Sequence, residues 1–373
     1  MNCSRLVLLG SSIVLGALLL LGCGESDSAS GGGWTVQEGA LTLERDLLVS
    51  EGESFYFGTI LDVTPAADGR IYVADDEAGH IKVLAPTGTL VDTLGRKGEG
   101  PGEFQRLNQV VVRRGDSLFV LDSQRRRVSV FSPSGTFAYG IPVASGQGLP
   151  DQIMVPEGQP EIVLRRLRFP FTTESNRGRY VVRTLRPTGT AGDTLFTAVR
   201  TPMHGVQRGE VQMYLPIPFE PSLHTAMGPE DRVHVARGDS LAVASYGLGG
   251  ERRHEVSIPF EPIPVTDDDL ERVLKDYSEK RPMPRDKIPA TKPAFEHFLV
   301  DDEGRYWFGR PTAHPDTTEW WLAWPDQKRV ATTRLSDDVN LLTVRDGFAY
   351  GRTNTEKGAP ALVRYRIRVS SNQ

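Results

Sequence analysis

Two histidines and an aspartate hold equivalent places in the sequence and could together bind a metal ion. Each stands seven residues before the glycine or aspartate of a predicted turn, as Asp62 does before Gly69. Imidazole nitrogens beside a carboxylate suit zinc or another transition metal. The spacing therefore predicts a metal or small-ligand site whose metal ligands are Asp62, His224 and His297.

The same position is polar in the other copies of the underlying repeat, while its neighbours are mostly apolar. We therefore expect these side chains to face one common space. The third copy aligns less closely, and both Asp151 and Gln152 fit it. The predicted ring comprises Asp62, Gln109, Gln152, His224, His297 and Asn340. A water-filled channel would also need a polar lining, so a solvated channel is the alternative to a ligand site.

Other sequence patterns of catalysis are absent. The chain has no G-x-S-x-G, H-E-x-x-H or C-x-x-C motif and no Walker loop. Aromatic residues near the C-terminus could stack on a sugar, although large flat side chains more often pack one sheet against another. These residues are Tyr306, Trp307, Phe308, Trp320, Trp321 and Trp324.

The elements that position the ring come from a repeat. The segment from Asp68 to Asp75, a turn followed by an apolar strand, recurs 47 residues later and ends at Asp122. The Pro-Thr-Gly-Thr turn at Pro86 recurs as Pro-Ser-Gly-Thr at Pro133 with the same offset. A repeat of this length without helices is typical of a propeller blade, because one blade cannot bury both of its faces alone.

Counting these patterns predicts an all-β, six-bladed propeller of four-stranded antiparallel blades over residues 34–373. The expected blades are 59–94, 104–141, an irregular third blade, 222–259, 295–335 and 339–369. The last blade offers only three strands. An N-terminal strand near Leu41 is therefore predicted to supply the fourth and close the ring, which removes unpaired sheet edges.

The spacer between the first two copies runs from Gly95 to Phe104 and is rich in glycine. This spacer and the D-G-x-I/L-Y-V-x-D element at Asp68 resemble the NHL-type six-bladed propellers. In some lyases of that type, channel histidines hold a catalytic metal. Three histidines would match that pattern, whereas this sequence aligns only His224 and His297.

The first residues resemble a bacterial lipoprotein signal. Arg5 precedes an apolar run that ends in Leu20-Leu21-Gly22-Cys23. The resemblance implies cleavage after residue 22 and acylation of Cys23, which would tether the protein to a lipid bilayer. Residues 23–33 are small and polar and predict a flexible tether. Gly24 rather than aspartate after Cys23 favours the outer membrane of a bacterial cell envelope.

Composition limits the partners. Forty-three Lys and Arg nearly balance 48 Asp and Glu, so no basic excess is present to bind nucleic acid. The only other cysteine, Cys3, lies in the predicted signal peptide. The mature domain is therefore expected to lack disulfides, and we expect it to be a monomer.

One helical insertion is predicted near residues 266–280. Thr266 is a suitable N-cap with Asp269 three residues later, and Leu270, Val273 and Tyr277 follow helical spacing. Such a helix could cover one mouth of the channel or pack on a blade surface.

These features favour a lipid-anchored module that binds a protein or a small molecule and needs no cofactor. The first alternative is a lyase or hydrolase that uses a divalent metal in the channel. The second is a saccharide-binding protein that uses the tryptophans.

Overall fold

The computed structural model describes residues 33–52, 55–113, 115–145, 148–168, 178–209, 211–275, 277 and 282–370. The predicted signal peptide, Cys23 and the tether up to residue 32 lie outside the described residues. The described chain is almost entirely β-structure, and the first strands are β1 (Thr35–Gln37), β2 (Leu41–Val49), β3 (Glu51–Gly52) and β4 (Phe55–Tyr56).

Six blades then follow, and the prediction of a six-bladed propeller is confirmed. Blade 1 is β5 (Ile60–Pro65), β6 (Ile71–Asp75), β7 (His80–Leu84) and β8 (Leu90–Leu94). Blade 2 is β9 (Leu107–Arg113), β10 (Ser117–Asp122), β11 (Arg127–Phe131) and β12 (Phe137–Pro142). Blade 3 is β13 (Leu149–Met154), β14 (Ile162–Arg168), β15 (Arg179–Leu185) and β16 (Ala191–Val199).

A hairpin, β17 (Met203–Arg208) and β18 (Val211–Pro216), leads to the second half of the ring. Blade 4 is β19 (Leu223–Met227), β20 (Val233–Arg237), β21 (Leu241–Tyr246) and β22 (Arg252–Ile258). Blade 5 is β23 (His297–Val300), β24 (Tyr306–Pro311), β25 (Thr317–Trp324) and β26 (Arg329–Ser336). Blade 6 holds β27 (Asn340–Arg345), β28 (Phe348–Asn354) and β29 (Pro360–Val369).

Strand β2 completes blade 6, as the sequence predicts. It pairs antiparallel with β29 from Leu41 opposite Val369 to Val49 opposite Leu362. The first and last parts of the described chain therefore share one sheet. Strand β1 was not predicted; it pairs in parallel with β26 and gives blade 5 a fifth strand.

The repeated aspartate at the end of the second strand has a structural role. The Asp75 carboxylate accepts hydrogen bonds from the amides of Gly58 (3.1 Å) and Thr59 (3.0 Å), which enter blade 1. Asp122 does the same for blade 2, where the Gln105 amide lies 2.7 Å away. Each aspartate is fully buried and fixes the crossover segment to its own blade.

Large apolar side chains fill the space between neighbouring blades. The indoles of Trp307 and Trp320 are fully buried, and Trp321 is 7% exposed. Trp307 and Trp320 pack with Leu341 and Val363 between blades 5 and 6. These strand tryptophans therefore pack between blades, as expected for most such residues, and the alternative of a sugar-stacking surface is not available at these three residues.

The helix α1 runs from Asp267 to Leu274 and is shorter than predicted. Thr266 caps it with Asp269 in a capping box, as expected. The Asp269 carboxylate is buried and lies 2.8 Å from the Lys292 ammonium. Tyr277 lies beyond the helix and donates its hydroxyl to the Pro216 carbonyl at 2.7 Å, so the insertion also contacts the β17–β18 hairpin. Two short 3₁₀ segments occur at Pro229–Asp231 and Arg285–Lys287.

Candidate functional site

The innermost strands of all six blades enclose one axial channel. Strands β5, β9, β13, β19, β23 and β27 all contribute to a cavity of about 180 Å³. This space could hold a few water molecules or a small ligand. Of the predicted ring, Asp62, Gln109 and Gln152 line this cavity, whereas His224, His297 and Asn340 do not.

The ring residues of blades 1 to 3 join neighbouring blades. The Asp62 carboxylate accepts a hydrogen bond from the Val110 amide of blade 2 at 3.0 Å. Gln109 in turn accepts from the Ile153 amide of blade 3 at 2.7 Å. One step further, the Gln152 amide group donates to the Thr225 carbonyl of blade 4 at 2.8 Å. We call these contacts the blade clasps.

Asp62 is an unusually weak acid for a carboxyl group. Burial raises the pKa of Asp62 to about 7, against the opposing effect of the Val110 and Val63 amides and of Arg352. The Val63 amide donates to its other oxygen at 2.9 Å. Asp62 therefore keeps its proton to a higher pH than an ordinary aspartate does, and both of its oxygens are already engaged.

His224 is a neutral, enclosed imidazole. Burial lowers the pKa of His224 to about 4, with smaller contributions from Arg165 and His297. Its ring lies 5.2 Å from that of Phe295. Its Nε2 atom is buried and has no hydrogen-bond partner among the residues the structure describes. A neutral imidazole is the form that binds metals, but one such group is not a metal site.

His297 packs against an aromatic residue of its own blade. Its ring stacks on Trp320 at 5.8 Å between centroids with planes 24° apart. Gly309 lies beside it, and a side-chain carbon there would come within 3.0 Å of the His297 Cβ and Cδ2 atoms. Burial also lowers the pKa of His297. The missing side chain at Gly309 therefore leaves room for this imidazole.

Among the described residues, no three His, Cys, Asp or Glu side chains are grouped closely enough to hold a metal ion. Asp62 belongs to blade 1 and His224 to blade 4, which face each other across the ring. The structure therefore does not bring Asp62, His224 and His297 together as predicted. The residues present do not fit a three-ligand zinc centre.

The other ring positions have local contacts. Asn340 begins β27 opposite Arg352. Asp151, the alternative in blade 3, forms an ion pair with Arg165 at 3.0 Å. The same guanidinium donates to the Thr225 hydroxyl at 3.0 Å, so Asp151 takes part in the contact between blades 3 and 4.

Sequence reasoning missed the charged residues at the other end of the channel. Arg113, Asp302 and Arg345 line the cavity there. Arg345 donates to the Val112 carbonyl at 3.3 Å, while Arg113 lies 3.4 Å from Glu157. Arg113 and Arg345 both end a first strand, and this shared placement could have indicated them.

No helix in the described part of the chain is long and apolar enough to cross a membrane. A search among curated protein sequences gave no significant match.

Comparison with known families and structures agrees with the architecture. The sequence profile of a family described as a 6-bladed β-propeller, DUF5128, matches residues 52–148, which contain blades 1 and 2. A protein from Bacteroides fragilis described as exported is similar over 90% of this chain and 100% of its own, with 12% identity and a TM-score of 0.56. A DUF4221 member from Bacteroides vulgatus is similar over 89% of this chain and 99% of its own, with 10% identity and a TM-score of 0.54. At these identities the likeness concerns the fold, and this chain shares the architecture of a six-bladed propeller.

Proposed function

We propose that the protein is a lipid-anchored binding protein of the bacterial cell envelope that holds a small polar ligand in its axial channel without transforming it. The observation that carries this proposal is the cavity of about 180 Å³ that strands from all six blades enclose. Arg113, Asp302 and Arg345 at one end offer charged groups of both signs to a ligand. The polar atoms of Asp62, Gln109 and Gln152 already join neighbouring blades, so we expect the ligand to contact the charged residues at the other end of the channel.

Filling the channel tests the ligand site. Thr343 lines the cavity and is half-buried, so Thr343→Phe should occupy the space a ligand needs. Thermal unfolding is measured with a panel of small polar metabolites. A compound that stabilises the wild-type protein should lose at least tenfold in affinity in Thr343→Phe. The control is Thr197→Phe, on the exposed face of β16.

Two outcomes would contradict the channel as the site. One is a ligand that stabilises Thr343→Phe as much as the wild type. The other is a panel without any compound that raises the unfolding temperature of the wild-type protein.

The lipid anchor is tested with the two cysteines of the chain, Cys3 and Cys23. Cys23→Ser should abolish incorporation of a labelled fatty acid and release the protein from the membrane fraction of the producing bacterium. Cys3→Ser is the matched control and should leave both unchanged. Equal labelling of the two variants would show that Cys23 is not the acylated residue. The similar exported protein of B. fragilis is compatible with an envelope location.

A further inference from the structure

A second and larger cavity lies where the ring closes. It measures about 720 Å³ and opens between the β3–β4 hairpin and the β7 and β8 strands of blade 1. Glu51, Phe55 and Tyr56 line one side, and Glu77, His80 and Lys82 line the other. None of these residues lines the axial channel. We call this space the seam pocket; its volume lies within the range usual for small-molecule sites.

A neutralised ion pair forms the base of the seam pocket. The Lys82 ammonium donates to the buried carboxylate of Asp75, and the two side chains are 4% and 0% exposed. The ammonium also lies 3.1 Å from the His80 Nε2 atom. Burial and the neighbouring Lys82 lower the pKa of His80, so its ring is uncharged at neutral pH. Together Lys82, Asp75 and His80 add no net charge to the pocket.

Lys82 has no counterpart in the second copy of the repeat. The repeat places Asp122 of blade 2 at the position of Asp75, but it places Ser129 at the position of Lys82. The aspartate is accounted for by the crossover it fixes in both blades. Lys82 therefore neutralises a buried carboxylate beside the pocket, whereas the second copy of the repeat has no cation at this position.

The rim of the seam pocket is acidic and aromatic. Glu51 and Glu77 are exposed, and neither forms an ion pair within the described part of the chain. The Glu77 side chain lies over Gly58, where a side-chain carbon would come within 2.8 Å of it. Tyr56 is 73% exposed, and Phe55 is half-buried beside it. The uncompensated charge of the pocket is therefore that of two carboxylates next to two aromatic rings.

This combination selects a positively charged organic ligand. Carboxylates attract an ammonium group and accept its hydrogen bonds, and the faces of Phe and Tyr rings attract cations as well. An anion would instead meet the Glu51 and Glu77 carboxylates, and the Lys82 charge is already matched by Asp75. Leu90 adds an apolar wall for the body of the ligand.

We infer that the seam pocket binds an organic amine, with its ammonium group between Glu51 and Glu77 and its apolar part against Phe55, Tyr56 and Leu90. The pocket is separate from the axial channel, so this inference neither requires nor supports the ligand site proposed there.

Three probes of the same shape and different charge test this inference. Benzylamine, benzyl alcohol and benzoate carry a positive, a zero and a negative charge on nearly the same body. Isothermal titration of the intact domain should give at least tenfold tighter binding for benzylamine than for benzyl alcohol, and the weakest binding for benzoate. Higher salt should weaken the binding of benzylamine and leave that of benzyl alcohol nearly unchanged.

Charge-neutral variants assign the effect to the two carboxylates. The double change Glu51→Gln and Glu77→Gln should reduce the affinity for benzylamine to that for benzyl alcohol. The matched control changes two other exposed glutamates, Glu38→Gln and Glu271→Gln, and should keep the wild-type affinity. Thermal unfolding of both double variants confirms that each is folded, since all four side chains are exposed.

The inference is overturned if benzoate binds as tightly as benzylamine, if the Glu51 and Glu77 double variant keeps its affinity, or if none of the probes binds. The channel-filled Thr343→Phe variant separates the two sites, because it should bind benzylamine as the wild type does. Loss of amine binding in that variant would instead place the amine in the channel and overturn the seam-pocket assignment.

Discussion

At the scale of single residues, a polar position in a repeat can serve the ring itself rather than a ligand. Asp62, Gln109 and Gln152 each form a hydrogen bond to the next blade. His224 and His297 occupy the same position, but neither forms such a bond within the part of the chain that the structure describes. The two histidines instead pack against Phe295 and Trp320. The ring of contacts is therefore polar in three blades and aromatic in two.

Asp62 makes the first clasp sensitive to pH. An unfolded aspartate has a pKa near 3.9, and the folded value is raised to about 7. The native state therefore binds more protons than the unfolded state between these two values. The contribution of Asp62 to stability is present in full below about pH 4 and is lost as the pH rises through about 7.

The change Asp62→Asn removes this ionisation and one of the two amide contacts. We expect it to lower the free energy of unfolding by about 1–3 kcal/mol at pH 5 and by less at pH 8. Urea unfolding at both pH values measures the difference. The exposed control Asp193→Asn should change stability little at either pH. A deficit that grows towards pH 8 would contradict the raised pKa.

The sequence could predict which residues share this position but not what each one contacts. The offset of 47 residues and the turn anchors aligned Asp62 and Gln109 correctly. The bond from Asp62 to the Val110 amide depends on how neighbouring blades are staggered, and no repeat pattern within a blade contains that information. The stacking of His297 likewise depends on the space beside Gly309, which only the folded sheet shows.

At the scale of elements, strand β2 holds the ring closed. Leu41 at its start is 1% exposed and packs with Trp307 and Val363, whereas Leu48 near its end is 43% exposed. One strand therefore carries a buried leucine and an exposed leucine. Replacing each in turn separates the effect of burial from the effect of losing a leucine side chain.

Leu41→Ala should lower the free energy of unfolding by about 2–5 kcal/mol, because it leaves a cavity between blades 5 and 6. Leu48→Ala on the same strand should cost no more than about 0.5 kcal/mol. Chemical unfolding gives both values. Amide exchange should be faster in β29 of Leu41→Ala, since its partner strand is weakened. Equal costs for the two variants would show that β2 does not contribute through Leu41.

Strands that carry the repeat were predictable, and those outside it were not. The four strands of blades 1 and 2 follow from period-two alternation between turn residues, and the missing strand of blade 6 implied β2. Strand β1 has only three residues and owes its conformation to pairing with β26. The helix ends at Leu274 although apolar spacing continues to Tyr277, whose hydroxyl donates to the Pro216 carbonyl.

At the scale of the whole molecule, the order of the blades decides which residues can act together. Asp62 and His224 were predicted to meet, but blades 1 and 4 lie on opposite sides of a six-membered ring. The channel gathers Arg113, Asp302 and Arg345 at one end instead. The seam pocket exists because the chain must cross from the last blade back to the first, and the β3–β4 hairpin makes that crossing.

Strand β1 also determines how the domain would respond to a mechanical load. A pull on the N-terminal end of the described chain reaches Thr35–Gln37, which is paired to blade 5, before it reaches β2 in blade 6. The short β1 pairing would detach first and absorb the strain. Strand β2, which closes the ring, would bear tension only after β1 has detached. The pairing of β1 with β26 would therefore protect the closed ring from small mechanical loads.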